Sequence, residues 1–216
     1  MKRLVIIGAP GSGKGTQTYQ IAKKYNLKHV VVGDVVKQEI RDKTELGKLL
    51  YEYTSVAKFV PSEIVVDVLN KQIKDLKGYD GFIIDTAPIN MAQKLALKSM
   101  KMDGAIWLNI SHYDILREHI LDRLICPKCR KVTSKTENPT GICSYCGAVL
   151  EQRYDDNIET INKRIEQYKN ETLPVVQSYR EEGILIEING EQGKEKVFKE
   201  ICQKIDSFFV KDLQSK

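Results

Sequence analysis

A chain of 216 residues, 42% hydrophobic and 29% charged, is long enough for one substantial core carrying an insert or two. Its 34 basic and 29 acidic side chains leave a net charge of +5, interleaved with no block of one sign, which suits an anionic small ligand and argues against the concentrated basic face of a nucleic-acid binder. No run of about 18 apolar residues occurs, so no membrane span is predicted. The apolar run after Met1-Lys2-Arg3 stops too early for a secretory leader, so a cytoplasmic setting with reduced thiols is expected.

The first predicted strand, residues 3–7, runs directly into Gly8-Ala9-Pro10-Gly11-Ser12-Gly13-Lys14-Gly15-Thr16-Gln17 and then into a predicted helix over 14–25. Glycines at these spacings let the backbone turn tightly and aim successive N–H groups inward. The helix that follows offers its positive end, and Lys14 reaches the outer phosphates. Gly11, Ser12, Gly13, Lys14, Gly15 and Thr16 are therefore the candidate cradle for a nucleoside triphosphate. A standard phosphate loop places Ser or Thr directly after the lysine. Here Gly15 intervenes and the hydroxyl comes at Thr16.

Further predicted strands cover 29–32, 81–85, 105–110 and 184–188. Predicted helices cover 34–41, 61–76, 91–100, 114–124, 157–182 and 194–209. Strand alternating with helix predicts a P-loop three-layer α/β/α fold with a five-stranded parallel sheet. Asp85 ends the third strand, at the carboxyl edge where such sheets place ligand chemistry. Helix capping or loop hydrogen bonding is the competing reading for Asp85 and for Asp34. Two segments depart from a plain doubly wound sheet: a polar helical stretch over 33–60, and 126–152.

The second of these holds Cys126-Pro127-Lys128-Cys129 and Cys143-Ser144-Tyr145-Cys146, two CxxC knuckles thirteen residues apart. That spacing puts Cys126, Cys129, Cys143 and Cys146 around one tetrahedral zinc, closed and therefore structural. Disulfides, a redox pair or an iron–sulfur centre are the alternatives. Cys202, alone in the last predicted helix, reads as a small buried apolar residue.

The loop GxPGxGKGTQ, followed by a zinc-knuckle insert after the fourth strand, resembles the adenylate kinase family of nucleoside monophosphate kinases. The resemblance extends through Gly33-Asp34, Glu45-Leu46-Gly47-Lys48, Asp85 with Pro88 and Gln93, Arg123, and Arg153-Tyr154-Asp155-Asp156-Asn157 with Arg164. It implies a core at 1–32, 61–122 and 157–216, a small helical acceptor-binding insert at 33–60 and a lid at 123–156. It also implies reversible transfer of the γ-phosphate of magnesium-bound ATP to AMP or another nucleoside monophosphate. Lys14, Arg123, Arg153 and Arg164 would clamp phosphates, and Asp85 would hold Mg2+ through water. His119, Arg123, Val132, Thr133 and Gln192 would join the loop in contacting the donor. Val32, Lys37, Lys58, Val60, Thr86, Ile89, Gln93, Arg153 and Arg164 would line the acceptor side. Arg153 and Arg164 are eleven residues apart, about three turns, and would share one face if their segment is helical.

The chain departs from the family pattern mainly at the acceptor. Val31-Val32 replace Ser-Thr before Gly33-Asp34, Lys37 replaces an arginine, and Asp85-Thr86-Ala87-Pro88-Ile89 replaces Asp-Gly-Phe-Pro-Arg. Lys37, Arg41, Lys58 or an arginine lent by a neighbouring subunit is the expected replacement for the lost charge, so a monomer and a homo-oligomer both stay open. On the donor side, His119 and Thr133 stand where an arginine and an aromatic residue are usual, which predicts weak selection among bases. Two alternatives are a weakly catalytic nucleotide-binding relative, serving as sensor or binding module, and a zinc-ribbon nucleic-acid binder with an accessory P-loop.

Overall fold

Runs rich in Val, Ile and Leu build the sheet. The computed structural model describes residues 1–54, 60–129, 131–153 and 156–214. Strands β1 (Lys2–Gly8), β2 (Leu27–Val31), β3 (Gly81–Asp85) and β4 (Gly104–Asn109) come first. A short antiparallel pair follows, β5 (Arg123–Ile125) and β6 (Val132–Ser134), and then β7 (Leu185–Asn189). The main sheet is parallel in the order β2-β3-β1-β4-β7, as the alternation predicts.

Because a parallel sheet is covered on both faces, successive side chains of one strand enter different cores. Val5 and Ile7 pack with Val30, Phe82, Ile84 and Trp107. Leu4 and Ile6 pack on the other face with Ile83, Ile106 and Ile188. Helix α1 (Lys14–Lys24) covers the second face through Ile21 and Ala22, together with the last helix.

The first face is covered by α2 (Val32–Arg41), α3 (Glu45–Thr54) and α4 (Ser62–Ile73) through Val36, Leu50, Val65, Val68 and Leu69. The helical stretch after β2 therefore shares the main core. A Cβ at Gly47 would sit 1.9 Å from the Glu39 carbonyl oxygen, so glycine is what lets α3 cross α2 at this distance. Buried Glu39 accepts from Lys71 Nζ at 2.6 Å and ties α2 to α4.

Several bounds differ from the sequence reading. Strand β2 begins at Leu27, and Val32 opens α2 where the pattern placed it at the strand's end. Lys28 and His29 are half-buried on this edge strand, so their polarity hides it. Lys28 Nζ turns outward to the carbonyls of Gln72 and Asp75 near the end of α4, a favourable place for a cation. The predicted 91–100 helix is α5 (Met91–Ala96) plus a 3-10 turn, Leu97–Met100. After α6 (Tyr113–Asp122), the predicted 157–182 helix resolves into α7 (Ile158–Gln167), a π-helical turn Tyr168–Thr172, and α8 (Leu173–Glu181). Helix α9 (Lys194–Gln214) closes the chain and packs through Val197, Ile201 and Ile205.

Arg153 and Arg164 do not share a helical face. The Asn157 side chain accepts from Thr160 N at 3.0 Å and caps α7, which fixes the helix start at Ile158, beyond Arg153.

The β5/β6 pair and the bridges Ile125↔Glu151 and Ile142↔Val149 form a small separate unit. Its interior consists of Leu124, Cys126, Cys143 and Leu150, with Cys129, Cys146 and Ala148 against them. Among the described residues, no helix is long and apolar enough to cross a membrane.

Candidate active site

The loop after β1 takes its shape from two glycines in left-handed geometry, Gly11 (φ 80°) and Gly13 (φ 84°), a region that favours glycine. At Gly11 a Cβ would also lie 2.8 Å from the Leu116 carbonyl oxygen. Gly13 stands directly before α1, so the first N–H groups of the helix point at the concavity unpaired by the helix itself. Buried Ser12 Oγ has no hydrogen-bond partner. Gly15 and Thr16 are exposed on the first turn.

Lys14 folds back over the loop, donating to the carbonyls of Gly8 (2.6 Å) and Ala9 (2.9 Å). Burial drives its pKa down to about 8, with Asp85 opposing and the positive charges of Arg164 and Arg123 adding to the fall. Those four side chains thus lie within one electrostatic neighbourhood, although they come from α1, β3, β5 and α7.

Asp85 is buried at the end of β3. Its Oδ1 has no partner, and its Oδ2 lies 3.8 Å from His29 Nε2. A Cβ placed on Gly15 would stand 3.5 Å from Oδ2, so the carboxylate lies against the first turn of the loop helix. An orphaned carboxylate oxygen beside a phosphate cradle, with a hydroxyl at Thr16, is the hard oxygen donor set that magnesium takes.

Arg123 grips Asp156 with both arms of its fork, Nε donating to Oδ2 at 2.9 Å and Nη2 to Oδ1. The Asp156 side chain is fully buried, and its N–H donates to the Arg153 carbonyl at 3.1 Å. This joins the strand entering the cysteine unit to the segment leaving it. Arg153 is half-buried just before that segment's return.

Among the residues expected to line the acceptor, Thr86 follows Asp85 with φ 69°, an uncommon conformation for a β-branched residue. The Ala87–Pro88 peptide bond is cis. Ile89 is half-buried, and both of its backbone polar groups are held: its N–H donates to Gln93 Oε1 at 3.0 Å, and its carbonyl accepts from Thr172 Oγ1 at 2.7 Å. Val32 is buried and Val60 half-buried. Lys58 and the side chain of Lys37 lie outside the described residues. Arg41 pairs with Gln38 on the same exposed helix face.

The residues named for the donor base lie further out. His119 is exposed on the last turn of α6, and Val132 and Thr133 sit on β6. Gln192 Nε2 is tied to the Asn189 carbonyl and to Glu200. Sequence reasoning missed His29, the roles of Asp156 and Thr172, and the brace at Glu191, whose carboxylate accepts from the Ser111 and His112 N–H groups. Each depends on a long-range contact that local pattern does not signal.

The four cysteine sulfurs lie within 4.8 Å of one another. Cys126 and Cys146 are 3.4 Å apart and Cys129 and Cys143 3.5 Å, close to the about 3.8 Å edge of a tetrahedron with about 2.3 Å metal–sulfur bonds. The Cys129 N–H leads in bringing the Cys126 thiol down to about 6, which favours the thiolate a metal needs. This donor set fits zinc.

A family model described as adenylate kinase matches residues 6–184. The chain is 35% identical to the adenylate kinase of Thermoanaerobacter sp. (strain X514), covering 92% of this chain and 95% of that one. It is 36% identical to the adenylate kinase of Clostridioides difficile (strain 630), covering 95% and 99%, and to that of Caldanaerobacter subterraneus subsp. tengcongensis, covering 92% and 94%. With a family model spanning most of its length and relatives matched nearly end to end, the chain belongs to the adenylate kinase family of phosphotransferases.

Proposed function

We propose that this phosphotransferase moves the γ-phosphate of ATP, and of other nucleoside triphosphates, to AMP or another nucleoside monophosphate. The observation that carries this reading is the convergence of Lys14, Asp85, Arg123 and Arg164 on one phosphate loop. The donor triphosphate lies against the N–H groups of the loop with the Lys14 ammonium on its outer oxygens. An oxygen of the acceptor phosphate attacks the γ-phosphorus in line, the bond to the β–γ bridging oxygen breaks, and the electron pair leaves with the donor diphosphate. Arg123, Arg153 and Arg164 offset the charge on the moving group. No covalent intermediate or general base is needed. Asp85 and Thr16 would hold magnesium, which supplies further charge neutralisation when bound.

In this reading 33–60 is the acceptor-binding insert and 123–156 the lid, on a core made of 1–32, 61–122 and 157–216. The Arg123–Asp156 fork lies at the foot of the lid, so lid closure carries an arginine toward the phosphates and excludes water. Reduced thiols around one zinc suit a cytoplasmic enzyme. Among the described residues the lid's apolar interior is a few side chains and its sulfurs, so the metal supplies most of its order. Cys143→Ser is expected to release one zinc per chain by metal analysis and to lower the melting midpoint on the order of 5–10 °C. An unchanged midpoint in the zinc-free variant overturns the structural role.

The test of function is diphosphate formation from each triphosphate paired with each monophosphate. With neither an arginine at 119 nor an aromatic at 133, ATP, GTP, CTP and UTP are expected to serve within about a hundredfold of one another, a spread of roughly 3 kcal/mol. A preference for ATP beyond that refutes broad donor use. Absence of turnover with every acceptor, with ATP binding intact, would leave a nucleotide-binding relative that has lost catalysis.

A further inference from the structure

The helix bearing Arg164 does not continue as a regular α-helix. At Tyr168–Thr172 it widens into a π turn, with the Leu173 N–H bonding to the Tyr168 carbonyl, and Pro174 follows in the next turn. Pro174 has no N–H for the carbonyl four residues earlier, which strains a regular turn at this point. A π turn acts as one extra residue in an α-helix. Eight residues separate Arg164 from Thr172. Counted as seven α-helical steps of about 100°, they bring the two side chains within roughly 20° of one face. Wound as a regular α-helix, the same eight residues would leave Thr172 turned about 80° away.

Thr172 is buried, and its hydroxyl donates to the Ile89 carbonyl at 2.7 Å across 83 positions of sequence. Buried Gln93 takes the N–H of the same residue at 3.0 Å. The backbone at 89 is therefore fixed from both sides, by α5 and by the bulged helix, at the position where the side chain usual for this family is replaced.

We propose that Thr172 is a positioning residue that fastens the acceptor loop to the helix carrying Arg164, so that the acceptor phosphate and the arginine attending its transfer keep one spacing. This rests on the reading of residues 85–93 as the acceptor side. The π turn has a defined purpose in this arrangement: it rotates Thr172 onto the arginine's face. Because Ile89 supplies no charge to draw the acceptor into place, the register between loop and helix depends on this hydroxyl.

The experiment compares Thr172→Val, which keeps the shape and removes the donor, with Thr172→Ser, which keeps it. KM for the monophosphate and for ATP, kcat and the melting midpoint are measured on the full chain. Removing the hydroxyl that donates to the Ile89 carbonyl is expected to raise the monophosphate KM of the valine variant about tenfold, with the ATP KM within twofold of wild type and the serine variant near wild type. An unchanged monophosphate KM in the valine variant overturns the proposal, as does a parallel rise in both KM values or a serine variant that fails equally. If the valine variant does not fold, Thr172→Ala, which also removes the donor, takes its place: a selective rise in its monophosphate KM beside a serine variant of wild-type KM supports the clamp, and no selective rise overturns it. Absence of turnover by the wild-type chain with every monophosphate overturns the acceptor reading itself, a result distinct from any variant effect.

Discussion

Replacing Lys14 by methionine is expected to lower kcat by about a thousandfold or more, the cost of removing a fixed positive charge from the transferring phosphate. Methionine keeps most of the stem, so what is lost is the ammonium and its bonds to the Gly8 and Ala9 carbonyls. The same group predicts a pH dependence with two opposite signs. Burial, followed by the charges of Arg164 and Arg123, brings the Lys14 pKa from 10.5 to about 8 against the pull of Asp85. Between those values the unfolded chain holds the proton and the folded chain has lost it. The stability of the free protein from this group therefore rises with pH across that window, and the full burden of the buried charge is present below pH 8. Donor binding runs the other way, because phosphate oxygens favour the ammonium. Below pH 8 the lysine is already charged. Above it, binding must take up a proton, and affinity falls by up to tenfold per pH unit. Titration calorimetry at pH 9 in two buffers of different ionisation heat should report net proton uptake on ATP binding, absent in Lys14→Met. Uptake that persists in the variant assigns the proton to another group.

Legibility in the sequence followed the distance over which each feature is encoded. The phosphate loop occupies ten consecutive residues, and the geometry at Gly11 and Gly13 follows from that run alone. The cysteine cluster needs two tight local spacings and one intervening stretch, and its sulfurs meet as spacing predicts. The inner strands β1, β3 and β4 were visible because burial on both faces demands continuous apolar runs, and the edge strand β7 showed through Leu185, Ile186 and Ile188 around exposed Glu187. Strand β2 was the least visible, since an edge strand tolerates Lys28 and His29. Features built by pairing across the chain were not readable. Asp156 binds Arg123 over 33 positions, and the Thr172 bond to Ile89 depends on a π turn that shifts helical phase by one residue. The expected common face for Arg153 and Arg164 failed for a local reason, the cap at Asn157, which is encoded in a single side chain and is outweighed in any pattern by the eleven-residue spacing.

The second large effect is a gain. Ile89→Arg is expected to raise kcat/KM for the monophosphate roughly a hundredfold, the reverse of what loss of one preorganised charged donor costs. The backbone at 89 is held by Gln93 and Thr172 through its N–H and carbonyl, neither of which depends on the side chain, so the substitution leaves the loop where it is. Ile89 is only half-buried, so the longer side chain has a route toward solvent and phosphate without opening the core. Asp85, four residues earlier, would not neutralise the new charge at the acceptor, because its carboxylate lies under Gly15 on the donor side. Steady-state kinetics with the acceptor varied at saturating ATP checks the gain, and the ATP KM should stay within twofold. An unchanged acceptor kcat/KM would show that another cation already pairs with the acceptor phosphate. A dilution series then separates the two sources: activity per chain that falls as the protein is diluted assigns that cation to a neighbouring subunit, and constant activity assigns it to this chain, where Lys37, Arg41 and Lys58 are the groups to substitute next.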